Sequence, residues 1–131
     1  MFLDASAMIA IIVREPDAEA LASRLGQAAD VHTSPIAVYE TVLGLARIGA
    51  MSVRDAKATL DGFLEQVRAL ITQIDAEIGR AAIAAFERYG KGRHQAALNM
   101  GDCFAYACAQ ALDLPLLYKG NDFPQTDIAT A

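Results

Sequence analysis

Four short strand candidates do most to limit what this chain can fold into. They are Met1-Phe2-Leu3, Val31-His32-Thr33, Leu70-Ile71-Thr72-Gln73-Ile74 and Leu116-Leu117-Tyr118. Each is too short for a helix and reads as a strand. Long segments with helical periodicity separate them, so successive strands cannot be joined by tight hairpins. Strands alternating with helices imply a parallel sheet covered on both faces, a three-layer α/β/α domain with a short-stranded, mainly parallel central sheet. In such sheets the functional crevice lies beyond the carboxyl ends of the strands.

The intervening segments carry helix signals. Ala5 to Val13 reads as a helix, with Ser6 near its start. Pro16-Asp17 opens a second, to about Gln27, with proline and acids where the helix dipole favours them. Ser34-Pro35 is a cap followed by proline at the first helical position. That helix runs to Ile48, where Gly49 can stop it. Ser52 caps the next, with Asp55 three residues on, and apolar Ala56, Leu60, Phe63, Leu64 and Val67 extend it to about Ala69. Asp75 caps a helix to Tyr89, and Gly90 to Gln95 is a polar loop. A last helix, with Asn99 as a possible cap, runs to about Leu112. Leu114-Pro115 ends it, because proline disfavours helix in the residue before it. Lys119 to Asp122 is a turn, and Asp127-Ile128 is a candidate final strand.

Length and composition exclude several classes. The chain has 131 residues, which suggests one domain, and 54% are hydrophobic, enough for a substantial core. No apolar run is long enough to span a membrane. Met1-Phe2-Leu3-Asp4 lacks the basic start of a secretory signal, so a cytoplasmic protein is expected. Cys103 and Cys108 sit five residues apart on one predicted helix. They point to different faces, which disfavours a disulfide, and they read as small core residues. Too few thiols and imidazoles accompany them for zinc. The net charge of −5 disfavours nonspecific nucleic-acid binding. It does not exclude a nuclease whose carboxylates are offset by a metal ion.

Four acids stand where chemistry can use them. Asp4 directly follows the first strand, where it can cap a helix, ligate a metal, or do both. Glu40 lies in Ile36-Ala37-Val38-Tyr39-Glu40-Thr41-Val42-Leu43. Its helical neighbours are Ile36, Ala37, Leu43 and Gly44, so it has no intrahelical cation to pair with. It is either a solvent-facing Glu at the edge of an apolar stripe or a carboxylate held for function. Asp102 sits in the first turn of a helix rich in small apolar residues. An ordinary first-turn acid is one reading, but a buried unpaired carboxylate is costly, and a metal is its natural partner. Asp122 follows Gly120-Asn121. It is either an Asx-type turn residue or a fourth acid at the strand edge that carries Asp4. Asp127 is a weaker candidate.

Carboxylates with no His or Cys suit Mg²⁺, or Mn²⁺, rather than zinc. Such a site polarises a phosphoryl oxygen and lowers the pKa of bound water. Other chemistries find little support. His32 and His94 are lone, and no phosphate-binding glycine loop or nucleophile elbow is present. Arg88-Tyr89-Gly90-Lys91-Gly92-Arg93-His94 is the densest basic stretch; it is either a solvated loop or a phosphate-contacting one.

Four motifs in order resemble the PIN domain, and within it the VapC-type toxin ribonucleases. They are Phe2-Leu3-Asp4-Ala5-Ser6-Ala7, Glu40 in the Ser34-Pro35 helix, Asn99-Met100-Gly101-Asp102-Cys103-Phe104-Ala105-Tyr106-Ala107, and Leu116-Leu117-Tyr118-Lys119-Gly120-Asn121-Asp122-Phe123 with Thr126-Asp127-Ile128. The resemblance implies a Mg²⁺-dependent endoribonuclease of a type II toxin–antitoxin pair. Its catalytic acids would be Asp4, Glu40, Asp102 and the more variable Asp122. The metal would be held by Asp4, Asp102 and Glu40, and Ser6, Asn121 and Arg93 are the candidates for contacting RNA. Many family members carry another acid two residues before the Asp122 position; this chain has Gly120 there, and Asn121 offers an uncharged oxygen instead. The resemblance also implies a cognate antitoxin and a homodimer. A non-cleaving binding module of the same fold, or a carboxylate-metal nuclease acting on DNA, are the competing readings.

Overall fold

The computed structural model describes residues 1–131. Four short strands form one sheet in the order β3-β2-β1-β4: β1 (Phe2–Leu3), β2 (His32–Thr33), β3 (Leu70–Ile71) and β4 (Leu116–Leu117). Every neighbouring pair is parallel, as the helix-length separations require. Six helices connect them: α1 (Ala5–Ile12), α2 (Ala18–Leu25), α3 (Pro35–Ile48), α4 (Val53–Gln66), α5 (Ala76–Tyr89) and α6 (Met100–Ala111).

The alternation of side chains along two-residue strands is enough to build two cores. Phe2 and Leu116 are paired in register and join α5 and α6 on one face. Leu3 and Leu117 are the next pair and join α1 to α4 on the other. All four are fully buried. At about 1.5–3 kcal/mol for each large apolar side chain taken out of water, this central doublet is a principal anchor of the domain. Three layers result, with α5 and α6 opposite α1 to α4.

Helix caps follow the sequence closely. Asp4, Ser34, Ser52, Asp75 and Asn99 each accept a hydrogen bond from a first-turn N–H. Cys103 and Cys108 are buried free thiols, and burial pushes both up to about 11, which makes them inert.

Several boundaries depart from the sequence reading. The second helix begins at Ala18 rather than Pro16; Pro16 and Asp17 form a turn in which the Ala18 N–H bonds back to Glu15. The fourth helix stops at Gln66, because Arg68 takes a left-handed conformation (φ 52°). β3 covers only Leu70–Ile71; it is an edge strand, and both residues are exposed. Asp127-Ile128 is not a strand. The Asp127 carboxylate instead accepts a hydrogen bond from the Tyr106 hydroxyl (2.6 Å), and the chain meets β4 further on, through a single bridge between Leu116 and Thr130.

The strand order places a topological switch beside β1. The chain moves outward from β1 to β2 and β3, then crosses back to place β4 on the other side of β1. A crevice forms at such a point, beyond the carboxyl ends of the strands. Asp4 is the first residue past β1, and its N–H is tied to the Leu117 carbonyl of β4 (3.0 Å).

Candidate active site

Asp4, Glu40 and Asp102 line one pocket of ≈ 420 Å³ at this edge. Each arrives there by a different device. Asp4 is fixed as the N-cap of α1: its Oδ2 accepts from the Ser6 N–H (2.9 Å) and the Ser6 hydroxyl (2.5 Å). Ser6 Oγ in turn accepts from the Lys119 N–H (3.0 Å), which ties the turn after β4 to the start of α1. Asp102 is fixed by a capping box. Its Oδ2 accepts from the Asn99 N–H, and Asn99 Oδ1 accepts from the Asp102 N–H, both at 2.9 Å. Glu40 comes from the second turn of α3, which begins where β2 ends.

Glu40 reaches the other two because residue 101 is glycine. A Cβ built there would lie 2.0 Å from Glu40 Oε1 and 2.3 Å from Oε2. Its carboxylate therefore rests against the first turn of α6, where unpaired N–H groups and the helix dipole favour negative charge.

The electrostatics are those of carboxylates crowded together. Asp4 is buried, and desolvation raises its pKa against the opposing pull of the Ser6 hydrogen bonds. Burial, then the charges of Asp4 and Asp102, push Glu40 up to about 7. Burial also lifts Asp102 to about 6 against the Asn99 hydrogen bond, with Asp4 and Asp122 adding to the rise. None of the three enters an ion pair.

These residues fit a hard divalent cation. The capping hydrogen bonds of both aspartates fall on Oδ2, and both residues line the pocket. The side chains do not close into a cage of three ligands. A hard divalent ion held here would take one or two of the carboxylates and complete its shell with water.

The other sequence candidates are placed differently. Asp122 is exposed and does not line the pocket; it precedes a 3₁₀ turn (Phe123–Gln125) whose Phe123 is buried, and it reaches the site only as a charge acting on Asp102. Asn121 is exposed and also lies outside the pocket lining, as does Arg93, whose guanidinium packs over the Phe86 ring at 5.6 Å. Ser6 does line it. Asp127 belongs to a structural network with Tyr106 and Arg88. His94 Nδ1 accepts from the Ala96 N–H, and His32 faces Thr72, so both histidines have structural partners. A larger pocket of ≈ 800 Å³ lies at the opposite edge, around Asp30-Val31 and Arg68 to Leu70, before β2 and β3. It gathers no set of carboxylates.

Sequence reasoning missed two members of the site, Gly101 and Arg47. Arg47 follows Glu40 by seven residues on α3 and lines the same pocket. That spacing, two helical turns, was the available signal.

A three-layer fold with an acidic pocket at the switch point defines a class of oxygen-ligated, metal-type sites, and comparison narrows it. The PIN domain family model matches residues 1–129. The chain is 40% identical to a VapC ribonuclease of Rhizobium meliloti, over 97% of this chain and 98% of that protein. It is 44% identical to a ribonuclease VapC of Mycolicibacterium smegmatis, over 98% of each. The crystal structure of Mycobacterium tuberculosis VapC20, a sarcin–ricin loop cleaving toxin, has the same fold: TM-score 0.77 at 20% identity, over 99% of this chain and 97% of that one. The chain belongs to the PIN-domain family, among its VapC ribonucleases.

Proposed function

We propose that the pocket of Asp4, Glu40 and Asp102 is the active site of a Mg²⁺-dependent endoribonuclease, the toxin of a type II toxin–antitoxin pair. The observation that carries this reading is the gathering of three desolvated, unpaired carboxylates at the switch point of the sheet. Such an arrangement is costly unless a cation offsets it. VapC relatives near 40% identity over almost the whole chain support ribonuclease chemistry.

Asp4 and Asp102 would hold the ion, with Glu40 as the third carboxylate. Ser6 and Asn99 keep the two aspartates oriented, so little reorganisation is needed on binding. Bound there, a divalent ion supplies Lewis acidity toward a phosphoryl oxygen and makes water a better nucleophile. The protein contributes the fixed geometry, the partial exclusion of water around Asp4, and charge that requires the ion before a polyanion can approach. Asp122 tunes the site from outside through its charge. Mn²⁺, which also favours oxygen ligands, would substitute.

RNA is the substrate in this reading, with a cognate antitoxin protein and a second copy of the chain as partners and the cytoplasm as the compartment. No helix is long and apolar enough to cross a membrane. The test is a comparison of RNA, single-stranded DNA and a phosphomonoester, each with pure protein in Mg²⁺ or EDTA. Cleavage of RNA alone, abolished by EDTA, is expected. Cleavage of DNA at a similar rate, or binding of RNA without cleavage in Mg²⁺, contradicts the reading.

A further inference from the structure

The pocket that collects three carboxylates is lined by a single cation, Arg47. Arg47 sits two turns beyond Glu40 on α3, about 10 Å further along the helix axis. Leu43 and Gly44 lie between them on the same face and also line the pocket. Gly44 matters to this geometry. A Cβ there would come within 2.4 Å of Ile9 Cδ1, so α1 and α3 approach closely and Ile9 floors the space between Glu40 and Arg47.

Arg47 is exposed and unpaired. The chain's ion pairs engage Lys57, Arg80, Arg88 and Lys119, but not Arg47. Lys119, a second cation at this edge of the sheet, is committed to Glu15 and Asp17. In the basic stretch from Arg88 to Arg93, Arg88 pairs with Asp127 and Arg93 packs over Phe86, and neither they nor Lys91 line the pocket. One guanidinium is therefore left free at the rim of a site that otherwise repels a polyanion.

We propose that Arg47 is a substrate-positioning residue that grips a phosphate of the RNA next to the one being cut. The inference rests on the ribonuclease reading of the pocket. Two turns of helix put Arg47 beyond the carboxylates, so the phosphate it holds is a neighbour of the scissile one. The planar guanidinium can take two oxygens of that phosphate at once, which fixes the direction of the strand across the pocket. A lysine would keep the attraction and lose the orientation.

The test is steady-state cleavage of one oligoribonucleotide by the wild type, Arg47→Ala and Arg47→Lys, over a range of salt, with Mn²⁺ binding measured by calorimetry. For Arg47→Ala, KM is expected to rise about tenfold to a hundredfold, as for loss of a charge-assisted hydrogen bond, while kcat changes little. The slope of log affinity against log salt should fall by about 0.7, the value for one phosphate contact on a single strand. Mn²⁺ affinity should stay unchanged. Arg47→Lys should keep the salt slope and recover only part of KM. If Arg47→Ala cleaves with wild-type KM and salt slope, Arg47 does not hold phosphate, although the ribonuclease reading stands. If Arg47→Ala loses Mn²⁺ binding, it acts on the metal site and the proposal is wrong. If the wild type cuts no RNA in Mg²⁺ or Mn²⁺, the ribonuclease reading fails and takes this inference with it.

Discussion

The Glu40 carboxylate occupies the space that a side chain at position 101 would fill, 2.0 Å from where that Cβ would lie. A methyl group at 101 would displace the flexible end of Glu40 rather than the helix backbone. Gly101→Ala should therefore leave the fold intact, and alanine's better helix propensity favours it by about 0.5–1 kcal/mol. Cleavage should nevertheless fall about tenfold to a hundredfold, as when a group supporting a metal site is lost. The loss should vanish in a Glu40→Ala background, because both changes remove the same carboxylate. Additive losses in the double variant would show that Gly101 acts by another route.

Asp4→Asn and Asp102→Asn remove charge while keeping shape. Each amide oxygen can still accept the capping hydrogen bond that Ser6 or Asn99 donates. Cleavage should drop by about a hundredfold or more, comparable to losing a principal electrostatic group in other enzymes. The metal-free Tm should stay level or rise, since a desolvated charge has gone. Circular dichroism and thermal melts beside the cleavage assay check both halves.

The stability of the metal-free protein should depend on pH. Glu40 titrates near 7 and Asp102 near 6 in the fold, against about 4 for both when unfolded. The native state therefore holds more protons in this window, and its stability falls as pH rises from about 4 to about 7. In EDTA, Tm should decline across that range. Saturating Mg²⁺ should remove most of the decline, because an ion that binds only the folded form stabilises it. A flat metal-free profile would contradict the crowding of these acids.

Two acids near the C-terminus should separate cleanly. Asp122 lies outside the pocket and acts only as a charge on Asp102, so Asp122→Asn should cost far less activity than Asp102→Asn. Asp127 accepts from the Tyr106 hydroxyl and pairs with Arg88. Asp127→Ala should lower stability by about 1–3 kcal/mol, through a hydrogen bond lost by a buried hydroxyl, and leave cleavage in place. Denaturant melts and kcat/KM on the two variants provide the contrast.

What could be read in the chain was whatever depends on local chemistry. Caps such as Ser34-Pro35, Asp75 and Asn99 mark helix starts because the groups they satisfy lie within three residues. Asp4 stood out because it breaks an apolar run at the end of a strand. Residues that depend on distant partners were not legible. Gly101 looks like any helix glycine until Glu40 of another helix is placed against it. Arg47 looks like an ordinary last-turn cation until the pocket reaches it. The same limit misled the reading of Asp127-Ile128 as a strand, since the pull of Tyr106 on Asp127 spans 21 positions.

Calorimetric titration of Mn²⁺ into the wild type and Asp102→Asn, each also assayed on the same RNA, decides whether the acidic pocket is a metal-dependent active site. The wild type is expected to bind the ion and cut, and the folded variant to lose both together. Wild-type cleavage by folded Asp102→Asn, or cleavage by the wild type in EDTA, would contradict that assignment.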